Sequence, residues 1–98
     1  MLIFNLKREW FEKIKSGEKT VEFREVKPYW TTRIFNELER CNMNGQRYLD
    51  CLFVNAYNYS DTLKGHIRWV DKMESGINTD LKTDKPVYVL SFDIIKED

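Results

Sequence analysis

The chain has little cysteine, glycine or histidine, and each scarcity removes a class of function. Cys41 and Cys51 match neither a C-x-x-C pair nor a multi-bridge framework, and no histidine lies near either to complete a zinc site. No disulfide is expected. The single histidine, His66, has no second histidine and no cysteine at ligand spacing, so zinc hydrolysis and a Cys-His nucleophile pair both lack their parts, and a structural or surface role is expected. Gly17, Gly45, Gly65 and Gly76 are scattered and form neither G-x-x-x-x-G-K-[ST] nor G-x-G-x-x-G, which excludes a dedicated triphosphate loop. No metal and no cofactor is expected.

An excess of charge is also missing. Sixteen basic and sixteen acidic side chains cancel, so the chain lacks the global positive charge of a protein that coats nucleic acid non-specifically, and any such binding must come from a local patch. Long apolar runs are absent too. The start, MLIFNLKREW, puts charges straight after a very short apolar run, which is neither a signal peptide nor a membrane span. A soluble, cytoplasmic protein with no membrane partner is expected, its oligomeric state left open by the near-zero net charge.

What is present suits one small α+β domain covering residues 1–98. Six Phe, five Tyr and three Trp suffice for one core at this length. Leu2 to Leu6 reads as a short buried strand. In REWFEKIKSG, Trp10 and Phe11 lie four and three residues before Ile14, forming one apolar stripe of a helix that Gly17 is suited to end. From Lys19 to Lys27 the residues alternate with period two, which predicts a strand with Val21 and Phe23 in the core and Thr20, Glu22 and Arg24 on the other face. Pro28 ends it.

A second helix is expected from Tyr29 to Arg40, with Trp30, Ile34, Phe35 and Leu38 at helical spacing, followed by a turn at Asn44-Gly45. Three strands follow, Leu49 to Tyr57, Gly65 to Met73 and Val87 to Ile95, joined by the loops NYSDTLK and ESGINTDLKTDKP. The order β-α-β-α-β-β-β predicts a small mixed barrel of about five strands carrying two helices. Leu2, Phe4, Ile14, Val21, Phe23, Phe53, Val89, Leu90 and Ile94 form the expected core.

The concentrated chemical signal is GEKTVEFREVKPYW, from Gly17 to Trp30. Glu22 and Arg24 share one strand face, and Lys19 joins them only if it precedes the regular strand, where its four-carbon stem can bend round an edge. Between Lys7 and Arg33 eight basic residues accompany five acidic ones, a net of +3. On spacing alone the leading reading is a solvated face whose ion pairs contribute about 0–1 kcal/mol each.

The run IKSGEKTVEFR resembles the signature of the ASCH domain family, whose small members occur in bacteria and their phages: a helix ends in Gly-x-Lys and the next strand carries Glu-x-Arg. The resemblance extends to LIFNLK and, more loosely, to CLFVNAYNYS, so it covers nearly the whole chain. It implies a PUA-like β-barrel with a cleft beside the first helix that binds RNA or modified nucleosides. By resemblance Lys19, Glu22 and Arg24 line that cleft, and Lys7 approaches it from the end of the first strand. The rims implied are the helix after Pro28 and the loop from Asn55 to Tyr59, with Trp30, Tyr57 and Tyr59 stacking on a base and Arg33 or Asn58 meeting phosphate or a base edge.

One ASCH branch hydrolyses the amide of N4-acetylcytidine, and its motif resembles Gly-x-Lys-Thr-x-Thr-x-Arg. Gly17, Lys19, Thr20 and Arg24 match it, whereas Glu22 replaces the second threonine. A carboxylate beside a lysine forms an ion pair or accepts from a base amino group more naturally than it acts as a nucleophile. Three readings stay open: an RNA- or modified-nucleoside-binding module, an amidohydrolase of an N-acylated pyrimidine nucleoside with Lys19 and Glu22 catalytic and Glu74 as the further acid to test, and a phage accessory protein-interaction domain.

Overall fold

In the computed structural model, residues 1–96 are described. The elements run β1 (Leu2–Leu6), α1 (Arg8–Lys15), β2 (Val21–Glu25), α2 (Pro28–Asn44), β3 (Leu49–Asn55), β4 (Asn58–Met73) and β5 (Val87–Ile94). The five strands form one mixed sheet in the order β1-β3-β4-β5-β2, curled into a half-barrel. Among the described residues only β1 and β3 run parallel, Phe4 lying opposite Phe53, and α1, β2 and α2 between them make the crossover that a parallel pair needs. The other neighbours are antiparallel.

Both helices end where glycine allows the chain to turn. Gly17 has φ 85° one residue after the cap of α1, and Gly45 has φ 67° at the end of α2, the left-handed conformation that releases the last carbonyls to backbone donors. Pro28 sits in the first turn of α2, where its missing N–H would have no partner anyway. The stripe of α1, Phe11 and Ile14, joins Ile34 and Cys41 of α2 and the inward residues of the strands in one cluster that contains Leu2, Phe4, Phe53 and Leu90. Phe4 stacks on both Phe53 and Trp30, with ring centroids 5.6 and 5.2 Å apart.

Several expected positions differ. β4 begins at Asn58, so NYSDTLK is strand rather than loop, and the hairpin turns at Ala56 and Tyr57, both with positive φ. α2 runs four residues past Arg40, to Asn44. Phe35 and Leu38 of its stripe are exposed. Leu2, Phe4, Ile14, Phe53 and Leu90 are buried, whereas Val89 and Ile94 are only partly so.

The most consequential correction concerns β2. The alternation is as expected, but the core side is the opposite one: Val21 and Phe23 are half-buried, while Glu22 is buried at 4% exposure. The register explains it, because Glu22 lies opposite Leu90 and Arg24 opposite Tyr88, and directly opposed residues share a face. Leu90 and Tyr88 belong to the core cluster, so Glu22 and Arg24 point into the half-barrel. Phe23→Ala is therefore expected to lower stability by about 1 kcal/mol in urea unfolding, against about 3–5 kcal/mol for Phe53→Ala measured alongside. Equal losses would return Phe23 to the core.

Candidate functional site

The site is built at the edge strand β2 and the turn before it. After Gly17 the chain is held to α1 by the Lys19 amide, which donates to the Lys13 carbonyl at 3.0 Å. Lys19 thus precedes the regular strand, and its ammonium reaches round the edge to Glu22 Oε1 at 3.1 Å. On the other carboxylate oxygen, Arg24 places Nη2 at 2.7 Å and Nε at 3.2 Å. The Lys19, Glu22 and Arg24 side chains are 11%, 6% and 22% exposed, so this is a shielded network.

Arg24 is fixed on every side. Its guanidinium lies 5.1 Å from the Phe4 ring centroid and 5.0 Å from that of Trp30, within cation–π range. Nη2 also approaches the Asn5 carbonyl at 3.5 Å. Since Asn5 is on β1 and Arg24 on β2, this one side chain spans the two edges of the curled sheet.

A fourth member was not foreseen in the sequence. Asp80, in the segment between β4 and β5, pairs with Lys19 Nζ. Buried Thr79 positions it: Thr79 Oγ1 donates to the Gly76 carbonyl at 2.7 Å and accepts from the Leu81 amide at 3.2 Å, while the Lys82 amide donates to the Thr79 carbonyl at 3.2 Å. Glu74, the acid expected by resemblance, is exposed at the end of β4. The quartet of two cations and two carboxylates is formally neutral. Lys19 lies over the rings of Trp10 and Phe23, 5.1 and 5.7 Å from their centroids. Those two rings, with Lys13, Thr20 and Asp80, border a hollow of about 420 Å³. No spacing rule in the sequence links Trp10, Phe23 and Asp80 to Lys19, because they arrive from three different elements.

Of the remaining expected site residues, only Trp30 touches this network among the described residues, through the Arg24 guanidinium; Lys7, Arg33, Tyr57, Asn58 and Tyr59 lie apart from it. Trp30 is half-buried, packed on Phe4 and Tyr29. Arg33 folds back on its own helix, its guanidinium 3.4 Å from the Tyr29 ring centroid and Nη1 donating to the Tyr29 carbonyl. Lys7 starts α1 with its carbonyl, and its side chain is exposed. Tyr57 and Tyr59 stand exposed at the β3–β4 turn, and Asn58 Oδ1 accepts from the amide and hydroxyl of Ser60. Among the described residues, no hydrogen bond, ion pair or ring contact joins the turn residues Tyr57, Asn58 and Tyr59 to the quartet.

Other chemistry finds little support. Cys41 and Cys51 are buried free thiols, and burial pushes Cys51 up to about 12, so it stays protonated and a poor nucleophile. His66 stacks on Tyr48 with centroids 3.7 Å apart and faces Asp50 at 3.8 Å. Among the described residues no three His, Cys, Asp or Glu side chains are grouped to hold a metal, and no helix is long and apolar enough to cross a membrane. No family model and no curated protein matches the chain.

Proposed function

We propose that the chain is a binding module of the ASCH type, with a PUA-like barrel, that takes a modified nucleoside or a nucleotide of single-stranded RNA beside Lys19, Glu22 and Arg24. The observation that carries the reading is Glu22, a carboxylate 4% exposed whose two oxygens are held by two different cations. Such a network is no more stabilising than well-packed apolar residues of the same volume, so its presence in so small a core favours recognition over stability as its role. Glu22 offers an acceptor to an exocyclic amino group. Lys19 and Arg24 offer donors to a carbonyl or phosphate, and across Lys19, on the outer face of β2, Trp10 and Phe23 supply faces for stacking of a neighbouring base. With an RNA or nucleoside partner, the location that goes with this proposal is the cytoplasm.

The hydrolase reading keeps one observation on its side, the lysine held between two carboxylates. Both readings are tested by titrating the protein with cytidine, N4-acetylcytidine and short single-stranded RNA, following heat of binding and, by chromatography, released cytidine. Binding without product, weakened about tenfold or more by Glu22→Gln through loss of a hydrogen bond to a charged group, is the expected result. Release of cytidine from the acetylated nucleoside would establish the enzyme instead. Binding of none of the three ligands ends both readings.

A further inference from the structure

A second surface lies along β4, the middle strand of the sheet order, and none of the quartet lines it. β4 faces β3 only as far as Ile67, which lies opposite Leu49 at the start of β3. β4 then continues to Met73 with β5 on one side alone. Residues 68–73 therefore present about 20 Å of open strand edge. No loop or helix closes that edge by backbone hydrogen bonds among the described residues. An open edge with free amides and carbonyls is a template for another extended chain.

This edge borders a groove of about 800 Å³ whose far wall is α2. Ile34 forms its buried base, and Phe35 and Leu38 stand over it 58% and 37% exposed. On the strand side, Val70 and Lys72 lie opposite Leu90 and Tyr88 and so face inward, while Trp69, 70% exposed, faces outward beside the edge. A strand added here would direct alternate side chains onto Phe35 and Leu38 and the others beside Trp69. Apolar wall and backbone template together specify an extended peptide.

Charge selects its flanks. Arg47, Arg68 and Lys72 border the groove with only Asp71 against them, a net of +2. Arg68 is paired with Asp93, whereas Arg47 and Lys72 have no ion-pair partner among the described residues. A second copy paired two-fold about Val70, near the middle of the open edge, would set Arg68 against Lys72 of the other copy, directly opposed like charges that are destabilising, whereas an acidic flank meets no such repulsion.

We propose that the open edge of β4 and the facing wall of α2 receive an extended apolar segment of a partner protein, flanked by acidic residues, by strand addition. The test uses a fluorescein-labelled peptide of alternating isoleucine and threonine with Asp-Glu at each end, followed by anisotropy. Binding is expected, together with slowed hydrogen exchange of amides in residues 68–73. Methylating alternate peptide nitrogens, exchanging the acidic flanks for lysine, or introducing Phe35→Ser with Leu38→Ser is expected to weaken it at least tenfold each. Phe35 and Leu38 are exposed, so the double variant should unfold at the parent temperature. Absence of binding, indifference to backbone methylation or to flank charge, displacement of the peptide by short single-stranded RNA, or a concentration-dependent dimer abolished by the double variant would each overturn the proposal.

Discussion

Replacing Glu22 with alanine is expected to cost about 3–5 kcal/mol, a large part of the total stability of a domain this size. The reason lies in what the carboxylate leaves behind. Lys19 and Arg24 are mostly shielded, and neither can turn fully into water while Trp10, Phe23, Phe4 and Trp30 surround their stems and heads. Removing the anion between them leaves two like charges facing one another across a small cavity. Asp80 still serves Lys19, which keeps the loss from being larger, but among the described residues no other carboxylate pairs with Arg24. Thermal unfolding should show a fall of about 15 °C or more.

The companion experiment separates stability from function. Substituting the three shielded positions together, Lys19→Met, Glu22→Leu and Arg24→Met, removes three of the four charges and leaves Asp80, whose side chain is 33% exposed, to solvent; it is expected to leave stability within about 1–2 kcal/mol of the parent. The same triple variant should lose nucleoside and RNA binding. A triple variant as unstable as Glu22→Ala would mean that the network is there to hold the fold.

The order of the elements and three of the four members of the charged cluster were legible in the sequence, but not the side of the sheet on which the cluster lies. Alternation from Thr20 to Arg24 places Glu22 with Arg24, and Gly17 places Lys19 just before the strand; both follow from local geometry. Which face is inside depends on the pairing of Glu22 with Leu90, a contact between residues far apart in the chain, and the usual rule that apolar residues face inward points the wrong way when the interior holds an ion network. The β3–β4 hairpin was hidden for a different reason. Its two turn positions with positive φ are Ala56 and Tyr57, where the sequence signal for such a turn is Asn-Gly or Asp-Gly. Asp80 was out of reach because its approach to Lys19 is set by Thr79 and the fold of a loop, not by any periodicity. The open edge of β4 was likewise hidden, because it depends on β3 pairing with β4 only as far as Leu49 opposite Ile67.

Arg24 offers the sharpest separation of charge from geometry. Arg24→Ala is expected to cost about 2–4 kcal/mol of stability, less than Glu22→Ala because Lys19 remains to serve the carboxylate. It should also weaken ligand binding about a hundredfold. Arg24→Lys keeps the charge but not the fork: an ammonium cannot offer Nε and Nη2 to Glu22 while also reaching the Asn5 carbonyl, and it lies less well over the Phe4 and Trp30 rings than a planar guanidinium does. The lysine variant is accordingly expected to recover about half of the lost stability, because the carboxylate is again neutralised, yet to remain at least tenfold weaker in binding. Urea unfolding and calorimetric titration at matched folded fraction measure the two effects separately. If Arg24→Lys binds nucleoside or RNA as tightly as the parent, the guanidinium does not touch the ligand, and the binding site must lie on the Trp10 and Phe23 side of Lys19 instead of inside the half-barrel.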